Sequence, residues 1–145
     1  MRILIINGPN LNFLGKREPT IYGGVTLWDL ENRLKERFSK IKLEFYQSNS
    51  EGAIVDFLQK AMDGSAEGVI LNAGAHSHYS YAIRDAVAML PVPVIEVHIS
   101  NTYAREEFRR TSVLSSVCKG VIAGLGTEGY ELAVDYLVNS SNIKE

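Results

Sequence analysis

Short apolar runs alternate with amphipathic stretches along this chain. Ile3 to Ile6 is continuously apolar and stops at Asn7-Gly8-Pro9. Leu43 to Tyr46 alternates more weakly. Val69-Ile70-Leu71 stops at Asn72-Ala73-Gly74, Val94 to His98 runs into Ile99-Ser100-Asn101, and Val121-Ile122-Ala123 stops at Gly124. Runs this short and this apolar predict strands covered on both faces, as in a parallel sheet. Helical spacing fills the gaps. Leu27, Leu30, Leu34 and Phe38 share one face, and Thr26 with Asp29 forms a capping-box pattern. Ile54, Leu58, Ala61 and Met62 make a second stripe behind Ser48-Asn49-Ser50-Glu51. Ala82, Ala86 and Leu90 make a third, stopped by Pro91 and Pro93. Tyr130, Ala133, Val134, Leu137 and Val138 make the last, opened by Thr127. The polar end, Ser140 to Glu145, is expected to fray.

This alternation predicts an α/β fold: a doubly wound, flavodoxin-like sheet of five parallel strands with helices on both faces. One stretch breaks the pattern. Leu11 to Gly24 has no periodicity, yet it carries Lys16, Arg17, Glu18 and Tyr22. It follows directly on a strand's carboxyl end, where open α/β sheets place their ligands, so an active-site lid is expected there.

Length and charge narrow the picture. A chain of 145 residues fits one domain, taken as 1–145. Fifteen Lys and Arg against 17 Asp and Glu leave a net charge of −2. That balance lacks the bulk electrostatics of a nucleic-acid or membrane-surface binder. The lone cysteine, Cys118, makes no intrachain disulfide, suits a reducing compartment and reads as a buried apolar residue. No apolar run is long enough for a signal peptide or a membrane span, so a cytoplasmic protein is expected.

In a parallel sheet the ends of the first, third and fourth strands lie on one edge. Asn7-Gly8-Pro9-Asn10, Asn72 to His78 and Glu96 to Asn101 therefore converge, within reach of Arg17 and Tyr22 on the lid. Such convergence suits a small polar molecule. His98 closes its strand two residues after Glu96, on the same face, so the carboxylate is placed to orient the imidazole for acid–base work; a structural histidine is the alternative. Arg105 and Arg109, four apart in a helical-looking stretch, share a face and read either as solvated partners of Glu106 and Glu107 or as a carboxylate clamp. Ionising a tyrosine at pH 7 costs about 4 kcal/mol. One cation at about 4 Å returns roughly as much at an effective dielectric near 20. Arg17 beside Tyr22 thus makes a tyrosinate base conceivable.

Two other signals are weaker. Gly124-Leu125-Gly126-Thr127-Glu128-Gly129 matches GxGxxG, but too little chain follows for the next strand and its ribose-binding acid. A tight strand-to-helix turn is the better reading. His76, His78 and His98 lack the cysteine or acidic partners of a zinc site. Neither a cofactor nor a metal is expected.

Several segments together carry a family resemblance. They are Ile6-Asn7-Gly8-Pro9-Asn10-Leu11, Gly15-Lys16-Arg17-Glu18-Pro19, Tyr22-Gly23-Gly24, Gln47 to Gly52, Leu71-Asn72-Ala73-Gly74, Glu96 to Asn101, Arg105 to Arg109 and Gly120 to Gly126. In this order they closely resemble the type II 3-dehydroquinate dehydratases. The resemblance spans almost the whole chain. It implies cofactor-free trans-dehydration of 3-dehydroquinate to 3-dehydroshikimate through an enolate, in aromatic amino-acid biosynthesis or quinate breakdown. By matching positions, Tyr22 is the base, Arg17 activates it and stabilises the transition state, and Arg105 assists. His98 is the acid, oriented by Glu96, and Asn10 holds a water or the enolate oxygen. Asn72, His78, Asp85, Ile99, Ser100 and Arg109 match substrate-binding positions. The resemblance also implies a homododecamer of four trimers. Ala73 and His76 depart from the proline and tyrosine common in the family, and Ser50 from its histidine. The rival reading is a flavodoxin-like nucleotide- or flavin-binding module, with its phosphate at Asn7 to Asn10 or Gly124 to Gly129.

Overall fold

The five apolar runs are strands: β1 (Arg2–Asn7), β2 (Lys42–Gln47), β3 (Gly68–Asn72), β4 (Val94–His98) and β5 (Gly120–Ala123). The computed structural model describes residues 1–143. The strands form one sheet in the order β2-β1-β3-β4-β5, and each neighbouring pair is parallel. This is the flavodoxin-like winding, whose order reverses between β1 and β3 and opens a crevice at their carboxyl ends. In register, Asn7 of β1 lies beside Asn72 of β3 at that crevice.

The helices are α1 (Pro19–Tyr22), α2 (Leu27–Arg37), α3 (Glu51–Gln59), α4 (Tyr81–Ala88) and α5 (Glu128–Ile143). The capping box opens α2 as expected: Thr26 Oγ1 accepts from the Asp29 amide, and Asp29 accepts from the Thr26 amide. Two apolar layers cover the sheet. Ile3, Ile5, Ile70 and Val97 pack with Leu30 and Leu34 of α2 and with Tyr130, Val134 and Leu137 of α5. Leu4, Ile6, Val69 and Leu71 pack on the other face with Ile54 and Leu58 of α3 and Ile83 and Val87 of α4. Strand alternation sends every second side chain to each layer, which is why the runs are apolar throughout.

Four details differ from the sequence reading. The segment 11–24 holds two single turns, Leu11–Phe13 and α1, closed by bonds such as Ile21 N–H to Glu18 C=O. A single turn is too short to show periodicity. Leu11, Leu14 and Tyr22 of this segment are packed into the α2–α5 layer. On α4 the buried face is Ile83, Ala86 and Val87, while Ala82 is exposed. Met62 lies beyond α3 and is exposed. Ser140 to Ile143 continue α5, and Lys144 and Glu145 fall outside the described residues.

Gly124 (φ +86°) and Gly126 (φ +65°) take left-handed conformations in the turn from β5 to α5. The GxGxxG signal is at least in part turn geometry, as a strand-to-helix connection requires. Among the described residues, no helix is long and apolar enough to cross a membrane.

Candidate active site

The cleft lies over the carboxyl ends of β3 and β4, beneath the 11–24 segment, and is narrow, with a cavity volume of about 30 Å³. Its floor depends on close backbone approach. A Cβ at Gly8 would meet the Ala73 carbonyl oxygen at 2.5 Å, so only glycine lets the end of β1 lie this near the β3 loop. Gly8 N–H donates to the Asn72 carbonyl across this contact at 2.7 Å.

Tyr22 ends α1 and is 8% exposed. Its hydroxyl accepts a hydrogen bond from Arg105 Nη1 at 2.6 Å. The same guanidinium nitrogen donates to Ser100 Oγ at 3.2 Å. Arg17 sits elsewhere, with its guanidinium carbon 4.4 Å from the centroid of the Tyr22 ring. The sequence reading gave Arg17 the leading part in activating the tyrosine and Arg105 a helping one. The structure puts Arg105 at the oxygen and Arg17 on the ring face. A guanidinium at the oxygen favours a negative charge there, and a cation over the ring is attracted by its quadrupole.

His98 and Glu96 point to the opposite face of the sheet from the Tyr22 layer, as residues two apart on a strand must. His98 Nε2 donates to Glu96 Oε2 at 2.5 Å. Glu96 is fully buried, and its other oxygen accepts from Ser115 Oγ at 2.7 Å. Burial works against the Glu96 charge. Hydrogen bonds from His98, Ser115 and Ser112 outweigh it and hold the carboxyl below its ordinary pKa. With Nε2 engaged, Nδ1 is the ring nitrogen left to exchange a proton.

His78 stacks on His98, with centroids 6.4 Å apart and planes 19° from parallel. Its Nδ1 lies 2.8 Å from the Thr111 carbonyl. A carbonyl only accepts, so Nδ1 carries the proton and Nε2 of the neutral ring is an acceptor suited to a ligand hydroxyl. Arg109 also lines the cleft, gripped at Nε and Nη2 by Glu106, each at 3.2 Å. The stretch 104–110 is not one helix, because Arg105 is extended between two 3-10 turns, Thr102–Ala104 and Glu107–Arg110. The two arginines meet at the cleft through this bend, not through a shared helix face.

Nine of the expected residues line the cleft: Arg17, Tyr22, Asn72, His78, His98, Ile99, Ser100, Arg105 and Arg109. Glu96 stands behind His98. Asn10 and Asp85 are exposed and do not line it, Asn10 on a left-handed turn after β1 and Asp85 on α4. The sequence places the 11–24 and 72–78 segments here without singling out Leu11, Gly74 or Ala75, and it missed Thr102 as a lining residue and Ser112 and Ser115 as partners of Glu96. Small and apolar lining residues carry no chemical signal of their own. Among the described residues, no group of three or more His, Cys, Asp or Glu could hold a metal ion.

The chain matches the family model described as dehydroquinase class II over residues 1–138. It is 57% identical over 142 residues to a 3-dehydroquinate dehydratase of Bacillus licheniformis, covering 97% of each chain. It is 55% identical over 139 residues to one of Bacillus subtilis, covering 94% of this chain and 93% of that protein. A solved type II dehydroquinase from Butyrivibrio crossotus superposes with a TM-score of 0.91 at 52% identity, over 94% of this chain and 97% of that one.

Proposed function

The chain belongs to the class II dehydroquinase family, and we propose that Tyr22, Arg105 and His98 divide between them the chemistry of its 3-dehydroquinate dehydratase activity. The reaction is a step of the shikimate pathway. It removes water from 3-dehydroquinate and leaves the enone 3-dehydroshikimate.

Tyr22, as phenolate, takes the proton from the carbon beside the ketone. That proton is acidified by the carbonyl, and the electron pair moves onto the ketone oxygen as an enolate. Arg105 favours the charge on the phenolate before transfer, and Arg17 adds positive potential at the ring face. The enolate then collapses, a carbon–carbon double bond forms, and the tertiary hydroxyl leaves with a proton from His98 as water. Glu96 keeps the imidazole oriented through its hydrogen bond to Nε2. Tyr22 ends with one proton too many and His98 with one too few, and exchange with solvent resets both. The base comes from the α2–α5 layer and the acid from the α3–α4 layer. Approach from two sides suits trans elimination.

Asn72, His78 and Arg109 bind the ring hydroxyls, and Ile99 and Ser100 offer their backbone amides to the carboxylate. Asn10 would have to fold inward to hold a water or the enolate oxygen. Asp85 would have to come from a second copy of the chain, which the homododecamer implied by the resemblance would supply. We read residues 1–145 as one catalytic domain with 11–24 as its lid, working in the cytoplasm, where a lone free cysteine is unexceptional.

One observation carries the assignment: Arg105 bonded to a buried Tyr22 in the same cleft as a His98 anchored on Glu96. The test is to mix EDTA-treated protein with 3-dehydroquinate and follow enone absorbance in the ultraviolet. Rising absorbance, insensitive to chelator and to borohydride, supports a dehydration that uses neither metal nor imine. A folded protein that leaves the absorbance flat would overturn it.

A further inference from the structure

Beneath the cleft lies a buried polar chain that meets the proposed substrate site only at Asn72 and Gly74. Tyr130, in the first turns of α5, is completely buried in an otherwise apolar layer. Its hydroxyl donates to Asn7 Oδ1 at 2.6 Å and accepts from Asn72 Nδ2 at 2.9 Å. Asn72 Oδ1 in turn accepts the Gly74 amide at 3.2 Å. Burial raises the Tyr130 pKa, so its one proton stays on the oxygen at working pH.

Counting donors fixes the direction of the whole chain. The Gly74 N–H can only donate, so Asn72 must turn its carbonyl oxygen towards it. The Asn72 NH₂ group then faces Tyr130, whose oxygen must accept there and send its proton to Asn7. The reverse order would set the Asn72 NH₂ against the Gly74 N–H, two donors facing each other. Asn7 closes the chain with its own NH₂ buried and unpartnered.

We propose that Tyr130 is a positioning residue for the dehydration: the Gly74 N–H fixes which end of the Asn72 amide is oxygen, and the Tyr130 hydroxyl ties down the nitrogen, so that the amide plane is held where its second N–H is offered to the substrate. This rests on the reading that Asn72 contacts the substrate. Asn72 and Gly74 both line the cleft, whereas Tyr130 does not. Tyr130 therefore acts only through Asn72. Without the Tyr130 anchor the amide plane would swing about its Gly74 bond, and a substrate hydroxyl would meet the second N–H at a poor angle part of the time.

The test is a double-mutant cycle on Tyr130→Phe and Asn72→Ala. Loss of one neutral hydrogen bond corresponds to about a tenfold effect. Tyr130→Phe is expected to raise KM about tenfold, with kcat and the pH–rate profile little changed. Asn72→Ala is expected to raise KM at least as much, and adding Tyr130→Phe to it should change nothing further. Asn7→Ala, which takes away the acceptor for the Tyr130 proton, should reproduce the KM effect should Tyr130→Phe fold poorly. A Tyr130→Phe variant with wild-type KM, or effects that multiply in the double variant, would overturn the proposal while leaving Asn72 as a ligand. An Asn72→Ala variant with wild-type KM would remove the premise itself and the proposal with it. A merely structural role would lower thermal stability without any coupling in KM.

Discussion

Arg105 donates through Nη1 to the Tyr22 hydroxyl at 2.6 Å, across 83 positions of chain. The 11–24 segment, which carries the proposed base, is thereby joined to the loop after β4, which carries Ser100 and follows His98, the proposed acid. A guanidinium held at the phenol oxygen is available to that oxygen in whichever charge state the reaction requires, and most usefully in the anionic one.

Tyr22→Phe keeps the ring and its packing and deletes the oxygen. Turnover is expected to fall by roughly 10²–10⁴-fold, the range for a lost general base. The far-ultraviolet circular dichroism and melting temperature should stay close to wild type. Turnover within a few-fold of wild type would assign the base elsewhere.

Arg105→Ala and Arg17→Ala should differ. Arg105 meets the oxygen and Arg17 the ring face, so turnover should fall further in Arg105→Ala. Equal losses, or a larger one for Arg17→Ala, would give Arg17 the leading role.

His98→Ala is expected to lose dehydration yet still exchange the proton beside the ketone with deuterium from solvent, read by NMR. Glu96→Gln should slow dehydration by about ten- to a hundredfold, the scale for loss of an outer hydrogen-bonded partner, with proton exchange largely kept. Normal dehydration by His98→Ala would reassign the acid.

Acid stability should report one ion pair at the β1–β2 edge. The hydrogen bond from Arg2 to Glu44 pulls the Glu44 pKa from its ordinary 4.5 to about 2. A folded-state value below the unfolded one means the pair stabilises fully above pH 4.5 and loses its effect as pH falls towards 2. The melting temperature of Glu44→Gln should therefore lie below that of wild type at pH 7 and close on it only as pH falls through about 2. A constant difference across that range would count against the pair.

Much of this was legible in the residues. Ile3 to Ile6, Val69 to Leu71 and Val94 to His98 read as buried parallel strands because both faces of the sheet are covered. The Thr26–Asp29 cap read correctly because its chemistry is local. Glu96 and His98 were paired by the two-residue period of a strand. The bend that brings Arg105 and Arg109 to the cleft was not legible, since two 3-10 turns imitate a helical pattern. Tyr130 read as one more member of an apolar stripe. Its hydroxyl finds partners only because the crevice sets Asn7 beside Asn72, and their adjacency comes from strands 65 residues apart in number (72 − 7). Asp85 matched by position, yet on α4 it is exposed and does not line this chain's own cleft.

Tyr22 is a member of the hydrophobic core as well as of the cleft, packed with Leu11 and Leu14 against the α2–α5 layer. The proposed catalytic oxygen and the anchorage of the 11–24 segment are thus one residue, and the chain cannot loosen the one without withdrawing the other. This works as a fuse. Solvent or heat that peels back 11–24 takes the ring from its seat and the hydroxyl from Arg105 in a single event, while the sheet below keeps its strands. In a urea titration, silence in the assay should arrive before any change in the circular dichroism.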